Sequence, residues 1–501
     1  MADVDALDGQ KPQRRNRSLA IALAVGIVVV LGGGLVASRL SPPEQDLSIP
    51  PGADPAPDLQ PPAAAAGSPA AAVGPPFVTA VSENGRYFVD QYGQPVAVRG
   101  DSPWSLMTDL APGEVETYLA NRADHGVNSL IVSLIGAVAN GGPADDGSTF
   151  DGIAPFVDGD LVTWNEAYFD RAHDYLQMAA DRGMTVFLYP IDGWTVDHAV
   201  VPESIGQCAE YGQKVGERFA DLANLVWMTG GDYFPITNEP ADGSDVDHCF
   251  DAMLRGIRAA GSTAPFSIQL GYEKSVSTDN PYWARRVDWN FAYSYYPTYR
   301  AVLDAYGWSP AVPAVFGEGN FERENNQADS PPTTNETLRR QVLWALTSGA
   351  AGEFYGSDDW EFQDGWAGRL DTDAVRQISD LRDLFAGLRW WDLVPDEDSA
   401  LVTAGRGEQV RDDTPMDVLD SDYVTAARTP DGTLAVVYVP TARTITLDLG
   451  RLDPAVSATW IDPASGTAHP VAVASSLRPP GTNDDGDEDW LLLLSTSQVP
   501  G

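Results

Sequence analysis

Two carboxylates follow apolar, strand-like stretches, at positions where barrel enzymes carry their catalytic groups. Asp232 comes just after residues 225–229, in the sequence NLVWMTGGDYFPITNEP, and Glu318 ends a second such stretch. Cleavage of a glycosidic bond needs a pair of this kind. One carboxyl group protonates the leaving oxygen, and the other attacks the anomeric carbon or activates water. We expect Asp232 to be the acid/base and Glu318 to be the nucleophile.

A second acid in the same stretch, Glu239, belongs to the tripeptide Asn-Glu-Pro at 238–240. This tripeptide is the acid/base signature of many other barrel glycosidases, in which the glutamate lies at the end of the strand itself. Here Glu239 follows the predicted strand end, at residue 229, by ten residues, in a loop that contains Pro235. The position next to the strand favours Asp232, and Glu239 is the alternative acid.

Eight strand-like stretches, most of them separated by amphipathic helix-like stretches, form the middle of the chain. They cover residues 96–101, 128–134, 185–191, 225–229, 266–270, 290–294, 314–318 and 351–355. This alternation predicts an α/β fold, a (β/α)8 TIM barrel over residues 77–391. An open doubly wound sheet is the alternative, but no glycine-rich phosphate loop follows the first strand.

Acidic, amide and aromatic side chains recur where these predicted strands end. Sugars bind to such a mixture, because aromatic faces stack on C–H patches while carboxylates and amides bind hydroxyl groups. The predicted substrate-binding residues are Asp101, Trp104, Asp192, Trp194, Tyr233, Tyr272, Tyr295, Asn320, Glu322, Tyr355 and Trp360. Ordinary packing is the alternative role for each aromatic residue.

Other chemistries fit the sequence less well. None of the five histidines lies at a predicted strand end and no GxSxG motif is present, which disfavours a Ser-His-Asp hydrolase and most zinc sites. The acidic run at 483–489 (NDDGDED) lacks the full ligand pattern of a calcium loop and predicts a solvated turn. We therefore expect no metal and no cofactor.

The charge balance limits the partners. Lys and Arg number 31 against 72 Asp and Glu, a formal net charge of −41. This balance excludes a nucleic-acid partner, which would need a basic face, and favours neutral or cationic ligands. General solubility is the alternative explanation of the charge. The sequence does not indicate an oligomeric state.

The N-terminal part predicts a membrane-anchored, exported protein. Residues 18–38 are uncharged and long enough to cross a bilayer, and four basic residues precede them. We expect a cytoplasmic tail at 1–17, a transmembrane signal anchor at 18–38 and a Pro/Ala-rich linker at 39–76. The catalytic domain would then lie outside the cytoplasm at the cell membrane. A cleaved signal peptide followed by secretion is the alternative.

Two features complete the predicted domain organisation. Residues 392–501 contain short strand-like runs separated by turn residues, which predicts a small all-β sandwich domain after the barrel. Cys208 and Cys249 are the only cysteines. Export favours a disulfide between them, which would stabilise the fold by roughly 3–4 kcal/mol. Two unpaired thiols are the alternative.

From about residue 85 onwards the chain resembles the apiosidase-like glycoside hydrolases, which are (β/α)8 barrels followed by a small β-domain named for collagen binding. The resemblance covers roughly 400 residues in ordered blocks. The matching blocks are 87–104, 118–128 (YLANRADHGVN), 182–188 (RGMTVFL), 226–233 (VWMTGGDY), 316–322 (FGEGNFE), 340–355, 388–395 (LRWWDLVP), 426–440 and 460–466.

The resemblance implies a hydrolase of furanosidic linkages in a polysaccharide, such as those of apiose or arabinofuranose. In that family the Asp of the GGD block is the acid/base and the first Glu of the EGxxE block is the nucleophile, which correspond to Asp232 and Glu318 here. Family members often carry histidines after strands five and six, where this chain has Gly271-Tyr272 and Ser294-Tyr295. A non-catalytic carbohydrate- or cell-wall-binding protein on the same scaffold is the alternative.

Overall fold

The computed structural model describes residues 74–196, 198–200, 202, 204–233, 246–271, 274–324, 332–410 and 416–497. The predicted cytoplasmic tail, the signal anchor and nearly all of the linker lie outside the described residues, as do Glu239 and Tyr272. Within the described residues, no helix is both long enough and apolar enough to cross a membrane.

Eight parallel strands form a TIM-like barrel, which confirms the predicted α/β fold class. Each strand lies within a few residues of its predicted place. The strands are β1 (Val98–Asp101), β2 (Ser129–Ser133), β3 (Thr185–Tyr189), β4 (Leu225–Tyr233), β5 (Phe266–Leu270), β6 (Asn290–Ser294), β7 (Ala314–Glu318) and β8 (Ala350–Tyr355). Strands β1 to β5 pair in order, and β8 closes onto β1. The carboxyl ends of all eight strands therefore meet at one mouth.

The barrel is nearly closed, with a seam between β5 and β6. A short strand, Lys274–Val276, pairs antiparallel with β6 at this seam. The hydroxyl of Ser277 bridges the gap, because it donates to the Ile268 carbonyl (2.6 Å) and accepts from the Phe291 amide (2.8 Å). A side chain thus supplies the link that strand-to-strand pairing gives elsewhere in the barrel.

Helices cover the outside of the barrel and bury one apolar face against the strands. They are α1 (Leu106–Asp109), α2 (Pro112–Asp124), α3 (Glu166–Ala180), α4 (Ile205–Arg218), α5 (Val246–Ala259), α6 (Tyr299–Tyr306), α7 (Asn335–Thr347) and α8 (Asp373–Ala386). The sequence predicted most of these helices. It did not predict the short helices α1 and α6, and the helix-like stretch at residues 212–223 begins seven residues after the start of α4.

A disulfide joins α4 to α5, which confirms the predicted pair Cys208–Cys249. Small residues let the two helices approach closely beside it. A Cβ atom on Gly212 of α4 would lie 1.9 Å from the backbone oxygen of Met253 on α5. The cross-link therefore fastens two elements that flank the catalytic strand β4.

The C-terminal part is all-β, as predicted, and contains two sheets. Six strands form the larger sheet in the order Val394–Pro395, Thr425–Arg428, Leu434–Val439, Trp490–Ser495, Ser457–Ile461 and Ala468–Val471. Three strands form the smaller sheet, Val402–Ala404, Ile445–Leu447 and Ser476–Leu477. The two sheets share one apolar core, and the other face of the larger sheet packs on barrel helices.

The acidic run at 483–489 is a turn with several exposed residues, as expected, but three of its carboxylates also bind a side chain of the barrel. It surrounds Arg339 of α7, whose side chain is fully buried. The guanidinium group lies 2.8 Å from Asp485, 2.7 Å from Asp487 and 2.9 Å from Asp489. Three carboxylates gathered on one cation need that cation for charge balance. Here a side chain of the barrel supplies it, and the contact holds the β-domain to α7.

Candidate active site

Strand β4 delivers Asp232 to the mouth of the barrel through a sharp backbone turn. Gly230 and Gly231 have φ angles of +95° and +72°, and Asp232 itself has φ +54°. The glycines are needed because a Cβ atom on Gly230 would lie 1.9 Å from the Gln269 carbonyl of β5. The left-handed backbone at Asp232 is costly for a side-chain-bearing residue and is typical of functional sites.

Glu318 lies at the end of β7, is only 8% exposed and accepts two hydrogen bonds. Gln269 Nε2 donates to its Oε2 at 2.9 Å, and the Tyr293 hydroxyl donates to its Oε1 at 3.1 Å. The hydroxyls of Tyr293 and Tyr295 are also hydrogen-bonded to each other, at 2.5 Å. The carboxylate is therefore held in place by neighbours on β5 and β6.

The Tyr293 hydroxyl connects the two predicted catalytic residues. It donates to Glu318 at 3.1 Å and lies close enough to Asp232 to lower the pKa of that carboxyl group. The two carboxyl groups also act on each other, because the Asp232 charge raises the pKa of Glu318. The structure therefore brings Asp232 and Glu318 together across the mouth.

Burial and mutual repulsion set the protonation of this pair. Burial and, to a smaller extent, the nearby Asp192 charge raise the pKa of Asp232 to about 6, against the lowering effect of Tyr293. Burial and the Asp232 charge raise the pKa of Glu318 well above its usual range. The pair thus titrates as a unit. Hydrogen bonding favours a proton on Asp232, because its Oδ1 has no hydrogen-bond donor whereas both oxygens of Glu318 have one.

Aromatic side chains line the same mouth. The rings of Trp104 and Tyr189 lie 4.9 Å apart, and the Tyr189 hydroxyl donates to Gln269 Oε1 at 2.8 Å. Trp104, Tyr295 and the partly buried Trp360 belong to one apolar cluster with the inward-facing barrel residues. Among the predicted aromatic contacts that the structure describes, Trp104, Tyr295 and Trp360 are thus placed to form a wall beside the carboxylates.

Two further predicted residues support the loops around the mouth. Asp192 is buried, and its carboxylate accepts hydrogen bonds from the side chains of Ser133 (2.6 Å) and Asn140 (3.0 Å) and from two backbone amides of its own loop. Asn320 is fixed by Gln341 of α7, whose Oε1 accepts from its backbone amide (2.8 Å) and from its side-chain amide (2.9 Å). Both side chains are engaged with protein groups.

Trp194 follows Asp192 at the end of β3 and is the most exposed of the predicted aromatic contacts that the structure describes, at 38%. Its backbone amide donates to Asp192 Oδ1 at 3.0 Å, which fixes the loop below it. An exposed indole on an anchored loop suits the outer edge of a sugar-binding cleft.

Four predicted residues lie in the barrel wall with contacts to helices. Tyr233 packs on Phe250 of α5, with ring centroids 5.4 Å apart. Asp101 forms an ion pair with the buried Arg122 of α2. The remaining two bind each other, since the Tyr355 hydroxyl donates to Glu322. Each of these four side chains is thus engaged with other groups of the barrel wall.

Four residues of the site escaped the sequence reasoning: Tyr189, Gln269, Tyr293 and Glu324. The first three lie inside their predicted strands, and only residues at or after predicted strand ends were considered. The inward-facing alternation along β3, β5 and β6 could have found them. Glu324 lies two residues beyond Glu322 and accepts a hydrogen bond from Trp360 Nε1 at 2.8 Å.

No metal-binding cluster is apparent in the part of the chain that the structure describes: no group of three or more His, Cys, Asp or Glu side chains could hold an ion there.

A TIM-like barrel with two interacting carboxylates and aromatic side chains at its mouth is the architecture of a glycoside hydrolase. Residues 82–392 match the family described as "Apiosidase-like, catalytic domain". The chain therefore belongs to the apiosidase-like family and is a glycosidase, as the resemblance implied. Residues 414–495 match the domain described as "Putative collagen-binding domain of a collagenase".

Solved structures show the same fold. One is a glycoside hydrolase family 5 protein from Bacteroides vulgatus, with 20% identity, a TM-score of 0.70, and coverage of 84% of this chain and 93% of that one. Another, described as a glycoside hydrolase, has 20% identity and a TM-score of 0.71, with 84% and 98% of the two chains covered. No curated protein matches the sequence significantly.

Proposed function

We propose that this protein is a retaining glycoside hydrolase that cleaves furanosidic linkages, of the apiose or arabinofuranose type, in a polysaccharide. Family membership supports the substrate class. The observation that supports the mechanism is the proximity of Asp232 and Glu318, which lie beside the same Tyr293 hydroxyl and whose charges act on each other. Retaining enzymes hold their two carboxyl groups about 5–5.5 Å apart, and inverting enzymes about 6.5–9.5 Å apart.

The reaction would proceed in two displacements. Asp232 gives its proton to the glycosidic oxygen while a Glu318 oxygen attacks the anomeric carbon, so that the leaving alcohol departs and a glycosyl ester forms. Asp232, now ionised, takes a proton from water. The resulting hydroxide attacks the anomeric carbon, and the Glu318 carboxylate is released. Protonated Asp232 and ionised Glu318 are the states that the hydrogen bonds favour.

Turnover and leaving-group dependence test this assignment. The purified protein should release reducing sugar from arabinan-, galactan- or apiose-containing glycans, whereas a purely binding protein would retain them without cleavage. Glu318→Gln should lower kcat by several orders of magnitude on every substrate. Asp232→Asn should do so on natural glycans but spare kcat/KM on dinitrophenyl glycosides, whose leaving group needs no protonation in the first displacement.

A third variant decides between the two candidate acids. If Glu239→Gln, rather than Asp232→Asn, shows this leaving-group pattern, Glu239 is the acid. A product of inverted anomeric configuration, read by NMR directly after cleavage, would contradict the retaining mechanism.

We also propose that residues 18–38 anchor the enzyme in the cell membrane with the barrel on the extracytoplasmic side. The uncharged span and the basic residues before it support this placement. Fractionation of cells that express the full chain should place it in the membrane fraction, with the barrel accessible to protease from outside. Release of a shortened chain into the medium would instead indicate signal cleavage.

A further inference from the structure

Glu324 is a third carboxylate at the mouth that neither the family motif nor the catalytic pair includes. Its Oε1 accepts the Trp360 indole N–H at 2.8 Å, and its backbone oxygen accepts two hydrogen bonds from Thr333. Its charge raises the pKa values of both Glu318 and Tyr295. Trp360 packs on the apolar cluster that contains Trp104 and Tyr295, so its hydrogen bond fixes the Glu324 side chain at the same mouth as the reacting pair.

The cations near Glu324 are already matched by other acids. Arg323 Nε donates to Asp358 at 2.7 Å, and the same guanidinium group also binds Asp359. Arg369 binds Asp359 as well, with its Nε at 3.0 Å. These two arginines face carboxylates of the loop after β8, so a negatively charged ligand would have to compete for them.

Glu324 itself lies in a negative environment. Burial, together with the charges of Asp358 and Glu361, raises its pKa to about 7, although the Trp360 hydrogen bond and the Arg323 charge act in the opposite direction. A second carboxylate brought beside it would be repelled strongly, because charges in a poorly solvated cleft are weakly screened. A sugar hydroxyl could instead donate to Glu324, since a carboxylate accepts several hydrogen bonds.

We propose that Glu324, held by Trp360, is a specificity-determining residue that binds a hydroxyl of a neutral sugar unit beside the cleaved bond and rejects a uronate there. The indole face offers the stacking surface and the carboxylate offers the acceptor. The substrate is therefore a neutral polysaccharide, or one whose acidic units are remote from the scissile linkage. This inference rests on the proposed glycosidase site and specifies its substrate.

A matched pair of probes tests the inference: one furanoside with a 4-nitrophenyl aglycone and the same furanoside with a 3-carboxy-4-nitrophenyl aglycone. Dissociation constants are measured by calorimetry at pH 8 in the Glu318→Gln background, which prevents turnover. The neutral probe should bind at least about tenfold more tightly than the carboxylated one. Adding Glu324→Gln should reduce this preference to about threefold or less.

Glu217→Gln in the same background removes an equal charge from the surface of α4 and should leave the preference unchanged. The inference is overturned if Glu318→Gln alone binds the two probes equally tightly. It is also overturned if adding Glu324→Gln leaves the preference for the neutral probe unaltered. These outcomes are separable from a failure of the proposed function. Suppose that the native protein cleaves neither probe, but that the preference for the neutral probe is present and is lost when Glu324→Gln is added. The hydrolase assignment is then wrong, while the role of Glu324 is supported.

Discussion

Tyr293 donates a hydrogen bond to Glu318 at 3.1 Å, and the same hydroxyl lies beside Asp232. A phenol has a single proton, so it can stabilise only one ionised carboxyl group at a time, but its presence lowers the pKa of each. Burial and mutual repulsion act in the opposite direction. The balance of these effects decides how the pair titrates and which pH range supports activity.

Activity should follow a bell-shaped pH profile whose basic limb lies near pH 6. The pKa of Asp232 is raised to about 6, and the acid must be protonated to act, so kcat/KM should fall as the pH rises above that value. In Asp232→Asn, the basic limb should disappear for dinitrophenyl glycosides. Full activity of the native enzyme at pH 9 would contradict this assignment of the acid.

Tyr293→Phe should lower kcat about 10- to 100-fold, because hydrogen bonds to charged groups contribute about 1.5–3 kcal/mol. The hydroxyl lowers the pKa of both carboxyl groups. Its removal should therefore move both limbs of the pH profile to higher pH. Tyr175→Phe is the matched control, since its hydroxyl donates to the Leu110 carbonyl in the outer layer. A profile that does not move would show that Tyr293 has no electrostatic role.

The elements were predictable from the sequence because each barrel strand is a compact apolar run followed by polar residues. The proximity of Asp232 and Glu318 was predictable for the same reason, since both come at or just after strand ends and those ends meet at one mouth. Tyr293 and Tyr233 show what was not predictable. Both are tyrosines near a strand end, but one faces the mouth and the other packs on α5. The turn at Gly230-Gly231 shifts the register, and this shift decides the direction of Tyr233.

The sequence patterns could not predict contacts between residues far apart in the chain either. The acidic run at 483–489 predicts a solvated turn, because nothing local supplies a cation. Its partner, Arg339, lies about 150 residues earlier, on a barrel helix. The pairing depends on how the β-domain packs on α7, and composition and periodicity carry no information about that arrangement.

Arg339→Met should destabilise the protein by about 3–5 kcal/mol, because it leaves buried carboxylates without their cation. The buried Asp489 is the main cause. Activity should fall too, since α7 also carries Gln341, which fixes Asn320 beside Glu318. Urea unfolding and kcat measure the two effects.

Arg376→Met provides the control for Arg339→Met. It removes an ion pair with Asp373 in which both side chains are more than half exposed, and it should cost less than about 1 kcal/mol. Equal effects of the two substitutions would show that the contact between Arg339 and the acidic run does not hold the domains together.

Gly230→Ala should disrupt the catalytic turn. The position has φ +95°, and the new Cβ atom would lie 1.9 Å from the Gln269 carbonyl, which is backbone and cannot move aside. Relief requires β4 to separate from β5, and this shift displaces Asp232 from Tyr293 while Gln269 shifts against Glu318. We expect loss of at least about 100-fold in kcat together with a lower melting temperature.

Gly113→Ala separates this local effect from the general effect of adding a methyl group to a glycine. Gly113 lies in helix α2, and a Cβ atom there would meet nothing within 4 Å. The change should leave activity intact and stabilise the protein by up to about 1 kcal/mol, because alanine favours the helix. If Gly230→Ala instead has the same melting temperature and the same kcat as Gly113→Ala, the close approach of β4 to β5 does not position Asp232.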